Sequence, residues 1–325
     1  MNDPSLHANN ARPATPESDA TRSGVTQSDA TRSDATGSEV VLSDGRVDAA
    51  FSGRVVCPDR SGTLLLAALG VALLAALGLS LMTGRGAFGW PDWSWQTQLI
   101  LWEIRLPRTL MAAICGAVLG LTGAVLQGWL RNPLADPAIL GVSSSAALVA
   151  VAAMYFGLGS AGLGIPLAGI VGALVGFHVL VLLTGQDSGI LLVVLAGAAL
   201  NAFCSALTAL LLNLAPNPFA VQDMLFWMMG SFEHRTLEQL GVLSVAACGG
   251  GLLLWRCGPA LDLLALGTDT ARSLGVSPRR LFWQIGLGCA LAVGASVAVA
   301  GVIGFVGLVV PHLLRPLTRW EPARL

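Results

Sequence analysis

The sequence predicts an all-α, polytopic helical membrane protein of about eight transmembrane helices behind a disordered N-terminal tail. Three observations carry that reading. Charged residues make up 11% of the 325 residues while 54% are hydrophobic, against about 25% charged in a soluble domain. Uncharged runs long enough to cross about 30 Å of hydrocarbon recur from residue 63 onward, separated by short polar or glycine-rich segments. Residues 1–60 are a different material, rich in Ser, Thr, Asp, Ala and Arg, with SDATRS at Ser18–Ser23 and again at Ser28–Ser33.

Nine acids and six arginines in residues 1–60 leave too little apolar surface to offset the entropy of ordering, so this segment is expected to be a disordered cytoplasmic tail. It lacks a basic stretch leading directly into an apolar one, which argues against a signal peptide. Residues 61–325 are expected to form one membrane domain.

The first span is Thr63–Met82. Gly84–Trp102 carries Trp90, Trp93, Trp95 and Trp102 among polar residues, the aromatic composition of a membrane–water interface, and reads as a loop closed by Glu103 and Arg105. The second span is Thr109–Leu130. Gly116 and Gly120, with Ala117 and Gly123 beside them, strip bulk from one face so that another helix can approach. In the turn that follows, Asn132-Pro133-Leu134-Ala135-Asp136-Pro137, neither proline can continue a helix from upstream. Asp136 then reads as an N-cap with Pro137 in the first helical position, opening the third span, Ala138–Leu158.

The fourth and fifth spans are Ile165–Leu183 and Ile190–Leu214. Asn217 is placed to cap a short helix starting at Pro218, whose apolar run Met224–Met229 is too short to cross. The sixth span, Leu237–Trp255, leads into a polar segment, Arg256–Arg280. Within it Thr268 is a plausible N-cap, Asp269 and Arg272 suit the two ends of the helix dipole, and Gly275 suits C′. That predicts a short helix, preceded by another around Leu263–Leu266 and followed by Ser277-Pro278 opening the seventh span. The 34 residues Leu281–Leu314 are uncharged; one straight helix of that length would measure about 51 Å, so the run must break. Gly301, Gly304 and Gly307 mark the break, leaving a seventh span (Leu281–Ala300) and a short eighth element (Ile303–Leu317) with Pro311 and His312.

Composition also excludes functions. All 18 basic residues are arginine, and a phosphate-binding P-loop needs a lysine. Any ATP hydrolysis must therefore come from another chain, and the protein is expected not to be an enzyme. A formal charge of −1 gives no nucleic-acid footprint. Six cysteines without a CxxC pair and the lone His178 and His312 support no disulfide, metal or cofactor. Arginine bias favours the tail, Arg131, Arg256, Arg272, Arg279, Arg280, Arg315, Arg319 and Arg324 on the cytoplasmic side.

Three groups stand out as candidate sites. Arg105 and Arg108 fall on the outer side, where arginines are disfavoured; they either snorkel and set topology or have a task there. The segment around Arg272 is either an ordinary interfacial loop or a pair of rigid helices suited to passing force to a partner. Asn201, Ser205 and Thr208 share one helical face mid-span, for interhelical hydrogen bonds or for lining a pathway, with Gln127 as a further pathway candidate.

RLPR at Arg105–Arg108, the Gly/Ala-rich span after it and QGWLRNPLADPAILGVSSSAA at Gln127–Ala147 resemble the permease subunits of the FecCD type. That family imports ferric siderophores, haem and vitamin B12 as part of ABC transporters. LLALGTDTARSLGVSP at Leu263–Pro278 and GFVGLVVPH at Gly304–His312 match it too, and the resemblance covers about Thr63 to Leu317. It implies a permease of the bacterial inner membrane, paired with a second copy or a homologous permease. It also implies separate ABC ATPase subunits and a periplasmic or lipid-anchored substrate-binding protein as partners.

Carried over residue by residue, the resemblance makes Arg105 and Arg108 docking groups for carboxylates of the binding protein. Leu266, Gly267, Asp269, Ala271, Arg272, Leu274 and Gly275 become the coupling element for the ATPase. The fifth span, with Asn201, Ser205 and Thr208, lies along the central pathway. Asn132, Pro133, Asp136 and Pro137 form a structural turn on the inner face, and Gly304, Gly307 and Pro311 the break between the last two elements. Relatives have ten spans, so this sequence, with eight, is expected to form an incomplete bundle. The competing classes are a non-functional remnant and an ion-gradient-driven transporter, the latter disfavoured because no acid lies inside any predicted span.

Overall fold

The computed structural model describes residues 60–83, 94–158, 162–185, 189–233 and 235–315. Residues 1–59 of the predicted tail, the first part of the tryptophan-rich loop (84–93) and the last ten residues lie outside them. The elements are α1 (Arg60–Met82), α2 (Trp95–Ile100), α3 (Leu106–Trp129), α4 (Val142–Tyr155), α5 (Gly164–Thr184), α6 (Ile190–Asn213), α7 (Pro218–Met228), α8 (Leu237–Trp255), α9 (Gly258–Ala265), α10 (Thr268–Ser273), α11 (Pro278–Ala300) and α12 (Val306–Leu314). Among the described residues five helical segments are long and apolar enough to cross a membrane: Gln98–Trp129, Gly164–Thr184, Ile190–Asn213, Leu237–Ala265 and Pro278–Ala300. Leu66–Met82 and Val142–Tyr155 are apolar but shorter.

Three boundaries differ from those the sequence predicts. The expected interfacial loop is helical from Trp95, and α2 runs into α3 through a π-helical turn at Leu101–Arg105. The cause is Pro107, which has no N–H and would collide with the Glu103 carbonyl in a regular helix. Widening the preceding turn, so that the Leu106 N–H reaches Leu101 O, removes the collision.

The third span was expected from Ala138. Asp136 does cap it, accepting from the Ala138 N–H at 2.8 Å, but the capped element is a single 3₁₀ turn, Pro137–Leu140. Gly141 at φ 72° ends that turn, and α4 starts at Val142. The eighth element is only nine residues long. Gly301 at φ 80° ends α11, and Phe305, at φ 66°, precedes α12.

The core is built around α11, which packs chiefly against α5 and α8. Its residues from Gly288 to Cys289 and from Ala292 to Ala300 are all buried. The seams use small residues, as association in lipid requires. A Cβ on Gly250 of α8 would lie 2.7 Å from backbone atoms of Gly288 and Ala292, and a Cβ on Gly169 of α5 would lie 2.6 Å from the Ala298 methyl.

On α3 the close approach is at Gly123, while Gly116 faces open space and Gly120 touches only the Val310 side chain. Pro311 has no N–H to give, which leaves the Gly307 carbonyl unclaimed inside α12. That oxygen occupies the place a Cβ on Gly123 would take.

Candidate functional site

At the end of the bundle where α3 and α8 finish and α11 begins, the chain builds an elbow of two short helices, α9 and α10. Pro259 lies in the first turn of α9. Gly267, at φ 120°, makes the joint between the helices and is also the N-cap of α10. Thr268 is the first helical residue, so it does not cap with its side chain as the sequence suggested.

The exit from α10 follows the expected glycine rule. Gly275 at φ 90° donates to Arg272 O at 3.0 Å, and Val276 donates to Ala271 O at 2.9 Å. These are the two paired bonds of a Schellman motif. The Ser277 hydroxyl then accepts from the Arg280 N–H and opens α11.

The elbow is fixed from inside and bare outside. Ala271 is buried, whereas Leu266 and Leu274 are exposed at 67% and 49%. Arg272 and Asp269 approach to 3.9 Å but are 62% and 100% exposed, so their attraction adds little to the fold. The strap is Arg131, an exposed residue that the sequence marks only for topology. At φ 50° it turns out of α3 and its guanidinium donates to Leu264 O, a carbonyl at the end of α9 that also accepts from the Gly267 N–H. Its position directly before Asn132-Pro133, where the helix has to stop, is the only sequence signal of that role.

The Asn132–Pro137 turn is tied down beside the strap. The Asn132 side chain accepts from the Leu134 N–H at 3.0 Å, and the Ala135 N–H donates to Asn132 O at 3.1 Å. Gln127, expected to line a pathway, is instead 1% exposed. Its amide donates to Ala135 O at 3.4 Å and to Leu308 O at 3.2 Å, linking this turn to α12. Burial within the protomer gives it no pathway surface.

The mid-span polar residues divide. Thr208 is buried and its hydroxyl donates to Cys204 O at 2.9 Å, one turn back on its own helix. Asn201 and Ser205 lie on the exposed face of α6. The arginine pair at the opposite end divides as well. Arg105 donates to Leu81 O at 2.8 Å, closing the end of α1, while Arg108 is exposed. Among the described residues no group of three or more His, Cys, Asp or Glu could hold a metal ion.

A family model described as the FecCD transport family matches residues 67–325. A vitamin B12 import system permease protein, BtuC, of Salmonella paratyphi A (strain ATCC 9150 / SARB42) is 40% identical over 230 residues, covering 69% of each chain. The same-named protein of Salmonella typhimurium is 39% identical over the same length and share. A solved structure described as an inward-facing conformation of a metal-chelate type ABC transporter superposes with a TM-score of 0.75. It is 32% identical and covers 81% of this chain and 84% of its own.

Proposed function

The chain belongs to the FecCD transport family, and from that premise we propose that it carries a metal chelate of the cobalamin or ferric-siderophore and haem type inward across the bacterial inner membrane. It is the permease subunit of an ABC importer and not an enzyme; ATP hydrolysis belongs to a separate subunit. In this reading the cargo arrives on a substrate-binding protein, and the pathway lies between this chain and a second copy or a homologous permease. The observation that carries the reading is the elbow, a pair of helices fixed by Arg131 and a Schellman exit, with exposed leucines that the fold does not use.

Each part has a task in that reading. Leu266 and Leu274 supply apolar contact to the ATPase. Arg272 and Asp269 orient it, and Ala271 and Gly275 keep α10 rigid as it transmits the stroke. The arginines of the elbow end, Arg131, Arg256, Arg272, Arg279 and Arg280, support a cytoplasmic placement of that end and of the N-terminus. Arg108 offers a free guanidinium fork to a carboxylate of the binding protein, and Arg105 positions it by holding α1. Asn201 and Ser205, polar groups facing away from the protomer, favour a pathway at the axis of a permease pair over contact with lipid.

The test is reconstitution in proteoliposomes with the ATPase and the binding protein, following ATP-dependent uptake of cobalamin, a ferric siderophore and haem in parallel. Arg272→Glu should abolish uptake while the binding protein still docks; Arg108→Glu should weaken docking while insertion is intact. Full uptake by Arg272→Glu would overturn the role of the elbow, and uptake of none of the three chelates would overturn the cargo class.

A further inference from the structure

Four spans reach the membrane boundary at one place. Trp129 is the last residue of α3, Gly185 follows α5, Ile190 opens α6 and Pro278 opens α11, and all four border a cavity of about 650 Å³. Because its walls are span termini, the cavity sits at the depth where lipid phosphates lie, just beyond the hydrocarbon. Three arginines from different elements line it: Arg131 after α3, Arg272 of α10 and Arg279 in the first turn of α11. Among the described residues that line it, none is acidic. The floor is aromatic and aliphatic, with Trp129 and Phe282 whose rings are 6.0 Å apart.

The charges are available. Arg131 spends one donor on Leu264 O, and a guanidinium has five. Among the described residues the carboxylate paired with Arg272 is that of Asp269, 3.9 Å away and wholly exposed. Three guanidiniums over an apolar floor match a phosphodiester joined to glycerol and acyl carbons, with forked donors on the phosphate and hydrocarbon on the rings.

We infer that this cavity binds the headgroup of an acidic phospholipid, which bridges the ends of α3, α10 and α11 and so sets the elbow against the spans. The inference goes beyond the transport reading and does not depend on the cargo; it shares Arg272 with the surface proposed for the ATPase. It is tested on the full chain in detergent by counting bound phosphatidylglycerol and phosphatidylcholine with native mass spectrometry. Phosphatidylglycerol should be retained in preference. Arg279→Gln should lower its apparent affinity by about fivefold, the worth of one basic residue near a lipid surface. Arg279→Lys should keep most of it, and Arg280→Gln, one residue along and outside the cavity lining, should leave it unchanged.

Equal retention of the two lipids would overturn the inference, and that comparison requires no variant. So would an equal loss with Arg280→Gln. Displacement of the lipid by millimolar inorganic phosphate would make the site one for free anions, and stoichiometric displacement by the ATPase subunit would make it part of the docking cleft; either result overturns a lipid site.

Discussion

α6 and α11 are 24 and 23 residues long and both are long and apolar enough to span, yet 22% of the most apolar window of α6 is buried against 78% for α11. The difference lies in side-chain size. α11 reads Gly-Leu-Gly-Cys-Ala-Leu-Ala-Val-Gly-Ala-Ser-Val-Ala-Val-Ala from Gly286 onward, so neighbouring backbones close on it. α6 turns Leu191, Leu195 and Phe203 outward, at 82%, 65% and 62% exposure. In water the larger apolar residues would be driven inside. Where the surroundings are themselves hydrocarbon, close packing of small residues decides which helix is central.

The hardest test of that contrast is Gly250→Leu. Its Cβ would lie 2.7 Å from the Gly288 carbonyl and from the Ala292 nitrogen, backbone atoms of the central helix that cannot step aside. Overpacking a core costs about 1–3 kcal/mol where it can be relieved, so here the expected outcome is loss of monodisperse folded protein. Leu195→Ala on the open face of α6 should leave the melting temperature in detergent nearly unchanged. A comparable loss from both would break the comparison.

Next in size is Gln127→Leu. Gln127 is buried between the Asn132–Pro137 turn and α12, and the change leaves the Ala135 and Leu308 carbonyls without its amide. An abandoned buried group costs about 1–3 kcal/mol, which should appear as a lower melting temperature. No change would mean that the turn and α12 are held by the Gly123–Gly307 approach alone.

What was legible in the sequence and what was not divide along the same line. Asp136, Asn217 and Ser277 cap where their spacing to Pro137, Pro218 and Pro278 said they would. Gly275 ends α10 and Gly301 ends α11 as expected. Each of these events is decided by residues a few positions apart.

Contacts between distant segments were not legible. Nothing near Gly123 distinguishes it from Gly116 until the α12 backbone arrives. Gln127 reads as a pathway residue until Leu308, 181 positions away, claims its amide. The π turn before Pro107 and the left-handed Arg131 are local, but they resolve conflicts between a stop signal and a continuing apolar pattern that either outcome could satisfy. The family resemblance identified the permease correctly because it rests on several local motifs in order.

A smaller effect sharpens the comparison at α6 itself. Asn201→Leu replaces an outward polar group on a face that buries little within the protomer. Protomer stability should be nearly unchanged, whereas pairing with a second copy, measured by cross-linking through Ser205→Cys, should weaken. Loss of the folded protomer instead would show that Asn201 belongs to the intramolecular core.

The smallest effect is expected at the elbow, where exposure and function coincide. Asp269→Asn removes a 3.9 Å ion pair whose partners are 62% and 100% exposed; exposed pairs contribute about 0.2–1 kcal/mol and lose even that in salt. Gly275→Ala should cost more, because φ 90° is a conformation an alanine avoids and the Schellman bonds depend on it. If Asp269→Asn lowered the melting temperature as far as Gly275→Ala, the ion pair would be holding the elbow together. If it did not, the Asp269 carboxylate is free of structural duty, as a surface kept for a partner requires.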